Sequence, residues 1–186
     1  MIFKKFTVDL AGHTTNAYIL GCEATRKALM VDCPAFTDEM RHFLHENDLQ
    51  LRKVFVTHDH RSHVDALTAA IDEYGAAIYS GNGKADNYRT RQLSHGDELR
   101  FGEVSGRVVE TPGHTTDGIC LIILPQEGAA NVPGMVFTGD ALLAGHVGDT
   151  ETPEERQQEI RRLQEHVMSL PDDYEIHPGH GESTTV

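Results

Sequence analysis

The chain has 186 residues, of which 39% are hydrophobic, and a formal net charge of −13 at pH 7. This length and composition suffice for the core of one domain, and we predict a single domain over residues 1–186. No basic stripe offsets the acidic charge, which argues against a general nucleic-acid or anionic-membrane binder.

Short apolar runs bounded by turn residues predict nine strands. They lie at about 2–9, 16–21, 27–32, 52–57, 76–80, 105–111, 119–124, 135–139 and 174–177. With helices between some of them, these strands favour a layered α/β domain. The pattern alone does not decide between an open parallel sheet and two packed sheets.

Three helices are predicted. The first begins after the N-cap residue Thr37, with acidic residues in its first turn. The second starts at His63 or Val64 and ends at Gly75.

The third predicted helix begins with a capping box from Thr152 to Glu155, with Pro153 at its first position, and ends at Pro171. Its acidic residues are predicted to form a solvated face. Its buried stripe is predicted to consist of Ile160, Leu163, Val167 and Leu170.

Three histidines follow the fourth predicted strand at positions n, n+2 and n+5, namely His58, His60 and His63. Side chains two residues apart on an extended segment point the same way, so His58 and His60 can hold one ion. His63, just beyond a turn, can reach the same pocket. This convergence indicates a metal site.

Three later motifs place ligand-type residues at strand ends, in turns that contain glycine. They are Thr111-Pro112-Gly113-His114, Phe137-Thr138-Gly139-Asp140 and His177-Pro178-Gly179-His180-Gly181. The glycines are predicted to allow a positive φ or a close approach of the backbone. Asp32, at the end of the third predicted strand, is predicted to accept a hydrogen bond from a metal-ligating histidine.

Taken together, these motifs strongly resemble the metallo-β-lactamase superfamily, above all its glyoxalase II-like and small thioesterase-like members. The resemblance runs nearly end to end and implies a four-layer αββα sandwich with the metal site at one edge between the sheets. It implies one metal on His58, His60, His114 and Asp140, and a second on His63, His180 and the shared Asp140. Because only six residues follow His180, we expect no separate C-terminal helical domain of the kind that glyoxalase II enzymes carry.

Ser62 departs from the family pattern, which has Asp between the second and third histidines. A neutral hydroxyl is a poorer ligand than a carboxylate, so the second site is expected to be weakened. We therefore expect one or two divalent ions per chain, zinc first, with iron and manganese as alternatives.

The segment after Asp140 departs from the family pattern as well. In related thioesterase-like members it resembles Ala-Gly-Ser-Ile-Gly-Arg-Thr-Asp, whereas here His146 replaces Ser and Asp149 replaces Arg. His146 is a candidate additional ligand that would compensate for the lost carboxylate, and the alternative is a loop histidine that points to solvent.

The resemblance implies a hydrolase that acts on an ester or thioester. Zinc lowers the pKa of bound water from about 15.7 to about 7, so that hydroxide is present at neutral pH as the nucleophile. Ser62 would orient that water and Asp140 would accept its proton. Asp149 argues against an anionic thiol carrier such as glutathione. Two alternatives stay open: a mononuclear iron persulfide dioxygenase that uses His58, His114 and Asp140, and a metal-binding protein with little catalytic activity.

The cysteines Cys22, Cys33 and Cys120 are odd in number and lack CxxC spacing, so they are predicted to be small buried residues of a reduced protein. No stretch reaches membrane-spanning length, and no apolar run follows the charged N-terminus. We expect a cytoplasmic protein whose partner is a small-molecule substrate, with no nucleic acid and no membrane, and we leave a homo-oligomer open.

Overall fold

The computed structural model describes residues 1–10, 12–125 and 133–186, and within them 16 strands and four helices. The strands are β1 (Ile2–Leu10), β2 (His13–Gly21), β3 (Lys27–Val31), β4 (Gln50–Phe55), β5 (Ala77–Ser80), β6 (Lys84–Ala85), β7 (Tyr88–Arg89), β8 (Arg91–Gln92), β9 (Glu98–Phe101), β10 (Val104–Glu110), β11 (Ile119–Ile123), β12 (Met135–Gly139), β13 (Leu142–Leu143), β14 (His146–Val147), β15 (Glu175–Pro178) and β16 (Thr184–Thr185). The helices are α1 (Asp38–Glu46), α2 (Arg61–Val64), α3 (Leu67–Tyr74) and α4 (Pro153–His166).

Two six-stranded sheets form the centre of the fold, and each comes from one continuous half of the chain. The first has the order β1-β2-β3-β4-β5-β8 and the second the order β16-β15-β12-β11-β10-β9. Strands β3 and β4 run parallel, as do β12 and β15. The loops that follow these four strands carry most of the predicted site residues, so they meet at one edge of the sandwich.

Alternation along the strands produces three apolar layers. On β2, Tyr18 and Leu20 face the second sheet, whereas Ile19 faces the helices, as the period of two requires. The layer between the sheets also contains Leu29, Val31, Phe55, Leu121 and Phe137. Helices α1 and α3 cover the outer face of the first sheet, and α4 covers the second. The four-layer αββα sandwich implied by the resemblance is therefore confirmed.

The nine predicted strands are all present, with ends that shift by a few residues. The prediction omitted β9 and the two-residue strands. A two-residue strand is too short to show an alternating pattern, and Gly96 and Gly102 on either side of β9 are typical of a loop.

The N-cap predictions for α1 and α4 are confirmed. Thr37 Oγ1 accepts a hydrogen bond from Met40 N, and Thr152 and Glu155 form the capping box. Helix α4 ends at His166, earlier than the predicted end at Pro171.

The predicted second helix is wrong in its first half, because it is divided into α2 and α3. Cys33 lies across the break: its N–H donates to the His63 carbonyl at 2.7 Å, and its carbonyl accepts from Ala66 N at 3.0 Å. These bonds occupy groups that a continuous helix would need. The predicted end is confirmed, since Gly75 has a φ of 63°.

The predicted solvated acidic face of α4 is wrong at one position. Glu159 has no exposed surface, and its carboxyl group lies beneath the loop that carries His114. Residue 159 lies next to the predicted buried stripe of α4, but the charge of its side chain predicts exposure.

Cys22, Cys33 and Cys120 are buried thiols without a disulfide, as predicted. Among the helices of the described ranges, none is long and apolar enough to cross a membrane.

Candidate metal centre

Four side chains converge at the edge between the sheets and form what we call the first donor group: His58, His60, His114 and Asp140. One donor atom of each lies within 4.8 Å of the others. His60 Nδ1 lies 3.1 Å from His58 Nε2 and 3.2 Å from His114 Nε2. Asp140 Oδ2 lies 3.8 Å and 3.7 Å from the same two Nε2 atoms.

The outer nitrogens of His58 and His114 bind oxygen acceptors. His114 Nδ1 donates to the backbone oxygen of Asp149 at 2.7 Å. Thr57 Oγ1 donates to Asp32 Oδ2 at 2.8 Å, so it accepts from His58 Nδ1, 3.0 Å away. Burial lowers the pKa of His58 well below its ordinary value and keeps the ring neutral. His58 therefore presents an unprotonated Nε2 to the centre of the group, and the bond from His114 Nδ1 directs the His114 Nε2 at the same point.

The second donor group consists of His63, His180 and the shared Asp140. His180 Nε2 lies 3.1 Å from Asp140 Oδ2, and His63 Nε2 lies 3.4 Å from Asp140 Oδ1. The outer nitrogens are again fixed: His180 Nδ1 donates to the Thr14 carbonyl, and His63 Nδ1 donates to Asp32 Oδ2 at 2.8 Å. The prediction that Asp32 orients a histidine of the site is confirmed.

Charge is distributed unevenly within the second donor group. Burial opposes a charged His63, but Asp32 and Asp140 outweigh it and raise its pKa to about 10. Burial likewise opposes ionisation of Asp140, but the neighbouring His180 and His63 rings lower its pKa well below its usual range. A proton on His63 thus balances the carboxylates, and a metal that binds this ring must release that proton.

The glycines of the motif turns have the predicted roles. Gly139 and Gly181 have φ angles of 52° and 75°. A Cβ on Gly179 would lie 2.2 Å from Asp140 Oδ1 and 2.6 Å from His63 Cε1. This glycine therefore lets the backbone pass against the centre of both donor groups.

Strand β2 holds the loop that carries His180, a role that sequence analysis did not assign. Asn16 Nδ2 donates to the carbonyls of Pro178 at 3.0 Å and Gly181 at 2.9 Å. Tyr18 Oη donates to the same Pro178 carbonyl at 2.6 Å. Polar residues buried within an apolar strand are the signal by which they could have been found.

Ser62 lies at the mouth of the second donor group. It is half-buried and lines a cavity of about 510 Å³ together with Leu10, His13, Arg61, Asp65 and His180. Ser62 and His180 therefore line the same cavity, which gives a small molecule access to both.

His146, the candidate additional ligand, belongs to neither donor group, and its position agrees with the alternative, a loop histidine that points to solvent. Its pairing with Leu143 in the β13–β14 hairpin places it on an exposed surface, where it lines a groove of about 380 Å³ with residues of α4. It therefore does not replace the carboxylate that Ser62 lacks. Asp149 is exposed, and its backbone oxygen holds His114.

The donor set fits a divalent cation. Nitrogens of three imidazole rings and a carboxylate oxygen face one another in the first donor group, which is a donor set of the kind that holds a divalent cation in proteins. His63 Nε2 and Asp140 Oδ1 are buried and have no hydrogen-bond partner at normal geometry among the described residues. Buried polar atoms without partners commonly mark the place of an ion.

A four-layer αββα sandwich with a histidine and aspartate metal centre at the sheet edge defines a class of metal-dependent proteins. The family model of the metallo-beta-lactamase superfamily matches residues 10–180, and the chain therefore belongs to this superfamily.

Several relatives have hydrolase names. The chain is 28% identical over 158 residues to a hydroxyacylglutathione hydrolase of Hydrogenovibrio crunogenus, covering 83% of this chain and 54% of the relative. It is 28% identical over 172 residues to the probable polyketide biosynthesis zinc-dependent hydrolase BaeB of Bacillus velezensis, covering 88% of this chain and 71% of the relative. The chain thus spans about half the length of the hydroxyacylglutathione hydrolases that it matches.

Solved structures share the fold. ETHE1 from Myxococcus xanthus superposes with a TM-score of 0.83 at 32% identity, over 100% of this chain and 80% of that chain. A metallo-beta-lactamase from Staphylococcus aureus gives a TM-score of 0.82 at 22% identity, over 99% and 61% of the two chains. Family membership, the hydrolase-named relatives and the donor groups together support a metal-dependent enzyme that uses a divalent ion.

Proposed function

We propose that this protein is a metal-dependent hydrolase of small esters or thioesters, with zinc as the first choice of metal. The observation that carries the proposal is the pair of donor groups that share Asp140 and open, at His180 and Ser62, into a cavity of about 510 Å³. His58, His60, His114 and Asp140 would hold one ion, and His63, Asp140 and His180 a second. A bound divalent ion supplies a Lewis acid that polarises a carbonyl and lowers the pKa of water.

The side chains of the site have distinct roles in this proposal. Asp140 stays ionised at neutral pH and is, among the residues that the structure describes, the carboxylate common to both donor groups. As an acceptor between them, it orients the attacking water and receives its hydrogen bond. Ser62, at the rim of the cavity, donates a hydrogen bond to the water or to the substrate oxygen.

A thioester is the preferred substrate class. Hydroxyacylglutathione, the substrate in the name of several relatives, is a thioester by its chemistry. Asp149, whose backbone oxygen accepts a hydrogen bond from His114, has an exposed carboxylate. Its negative charge disfavours an anionic carrier such as glutathione. We therefore expect a neutral or cationic thiol portion to be hydrolysed faster than an anionic one.

The experiment combines metal content with turnover. The purified protein is analysed for zinc, iron and manganese, then loaded with each metal and assayed on acyl thioesters that differ only in the charge of the thiol. His114→Ala is the test variant, and His146→Ala is the matched control, because His146 lies outside both donor groups. Absence of hydrolysis by all metal forms, with metal bound, would contradict the proposal.

A second candidate is a mononuclear iron persulfide dioxygenase. The observation that favours it is that, among the described residues, the first donor group has one donor more than the second, and it contains a two-histidine, one-carboxylate set in His58, His114 and Asp140. One iron per chain and oxygen consumption with a persulfide substrate would select this candidate. One tightly bound zinc without turnover in either assay would select a metal-binding protein instead.

A further inference from the structure

Glu159 of α4 is a buried carboxyl group directly behind the first donor group. Its side chain has no exposed surface, and its Oε1 accepts a hydrogen bond from the backbone N–H of His114 at 2.9 Å. Its Oε2 has no hydrogen-bond partner within the described parts of the chain. The residue thus lies one hydrogen bond away from a proposed metal ligand, on an element that supplies no ligand itself.

The loop before His114 is shaped to accept this carboxyl group. A Cβ on Gly113 would lie 2.3 Å from Glu159 Cβ and 2.9 Å from its Cδ. Only glycine at position 113 therefore allows α4 to approach closely enough for the carboxyl group to reach His114 N. Gly113 N also donates to the Thr115 carbonyl at 3.0 Å, which closes the turn around the ligand.

A glutamate is an energetically costly residue to bury at this place. Burial raises the pKa of its carboxyl group. A buried polar atom without a partner costs about 1–3 kcal/mol. An apolar side chain of similar size would pack between α4 and the loop without this cost, but it would leave His114 N without its acceptor. The acceptor oxygen is therefore the property that distinguishes glutamate from an apolar residue here.

We propose that Glu159 is a positioning residue that fixes the backbone of His114 and thereby directs the His114 imidazole at the metal. This inference rests on the metal centre proposed above. His114 is held at two points, its backbone N–H by Glu159 and its Nδ1 by the Asp149 carbonyl. With both held, Nε2 can point only toward His60 Nδ1, 3.2 Å away. Without Glu159, the loop retains one of the two restraints and the ring direction becomes variable.

The competing explanation is that Glu159 only joins α4 to the sheet. In that case its removal would lower the stability of the metal-free and metal-loaded protein alike and would leave intrinsic metal affinity unchanged. A positioning role acts on the affinity itself, because partners that orient a ligand typically contribute a factor of about 10–100 to metal binding.

The test compares Glu159→Ala, Glu159→Gln and the matched control Glu165→Gln, which changes an exposed glutamate of the same helix. Three quantities are measured. The zinc Kd is obtained by competition with a chelator, and the visible spectrum of the cobalt-loaded protein reports the geometry of the metal ligands. The Tm of the metal-free protein reports its stability. We expect Glu159→Ala to weaken the first ion about 10–100-fold and to alter the cobalt spectrum. Glu159→Gln, which keeps an acceptor oxygen, should stay within about threefold of wild type and also covers the case in which the alanine variant does not fold.

A double-mutant cycle with His114→Ala separates the outcomes. If Glu159 acts through His114, its replacement has no further effect on Kd when His114 is already alanine. Wild-type affinity in folded Glu159→Ala, an equal loss in the His114→Ala background, or a glutamine variant as weak as the alanine variant would each overturn this inference. If His114→Ala alone leaves zinc affinity unchanged, the metal centre itself is refuted, so the two failures are distinguishable.

Discussion

The two donor groups share Asp140 and are built in the same way, but they differ in what they offer a cation. In each, oxygen acceptors fix the outer nitrogens of two histidines, as Asp149 does for His114 and Asp32 for His63. The first group places three imidazoles around the shared carboxylate, whereas the second places only two, with Ser62 at its mouth. Within the described part of the chain, the second group therefore has one donor fewer than the first.

This difference shows that the residues that orient the histidines are not the residues that donate to the ion. The second donor group has its orienting residues in place, since Asp32 and Thr14 hold its two histidines. What it lacks, among the described residues, is a further donor beside the shared Asp140, because the Asp32 carboxylate lies behind His63 and does not face the ion. We therefore expect the first ion to bind more tightly than the second, and the following experiments test this order.

The largest effect should come from Asp140→Ala, which removes the carboxylate common to both donor groups. We expect loss of most bound metal and of all metal-dependent activity, and a lower Tm because bound metal stabilises the folded state by mass action. His58→Ala and His114→Ala should also abolish activity while leaving the second group intact. Metal analysis on dialysed variants is the measurement, and full occupancy in all three would refute the ligand assignment.

Gly179→Ala should have the next largest effect and should act more strongly on the second donor group. The new methyl group would overlap Asp140 Oδ1 and His63 Cε1, and such overpacking costs about 1–3 kcal/mol. We expect a lower Tm and a weakened second ion, detected by zinc titration. Gly145→Ala is the control, because no atom lies within 4 Å of its Cβ position, although its positive φ carries its own strain. Unchanged zinc binding by Gly179→Ala would show that the two groups tolerate movement at their centre.

Ser62→Asp should reduce the difference between the donor groups. An aspartate beside His63 and His180 restores an anionic oxygen for the second ion, so zinc stoichiometry should rise from about one toward about two. Ser62→Asn is the control, since it adds a similar volume without charge. The same single-ion endpoint in wild type and Ser62→Asp would mean that this position does not govern the second site.

His146→Ala should have the smallest effect, because His146 belongs to neither donor group and its ring faces a separate surface groove. We expect unchanged zinc stoichiometry and activity within about twofold, since surface substitutions usually change stability by less than about 0.5 kcal/mol. A fall in stoichiometry would return His146 to the second site and remove the difference described above.

Much of this arrangement was accessible from sequence because the informative residues are local. His58 and His60 share a face of an extended segment, and the glycine turns before His114, Asp140 and His180 mark strand ends. The family resemblance then implied which turns meet, and the structure brings those residues together.

The errors concern residues whose surroundings are set by distant parts of the chain. The break between α2 and α3 depends on Cys33, which is remote in sequence. The sequence predicts an exposed Glu159 because a charged side chain is rarely buried. The loop that covers it carries His114, which lies 45 residues away in the chain, so no local pattern shows the burial. The position of His146 depends on the pairing of the two-residue strands β13 and β14, which no periodic sequence pattern predicts.

The division of the sheets between the two halves of the chain has a consequence for assembly. The first sheet consists of β1 to β5 with β8, and the second of β9 to β12 with β15 and β16. The donors divide in the same way, with His58, His60 and His63 on one half of the chain and His114, Asp140 and His180 on the other. A cation at this seam acts as a removable cross-link between the halves. A chain cut between Gln92 and Glu98 would then yield two fragments that associate more strongly in the presence of zinc than in the presence of a chelator. Removing the metal would separate the fragments, as reduction separates two chains joined by a disulfide.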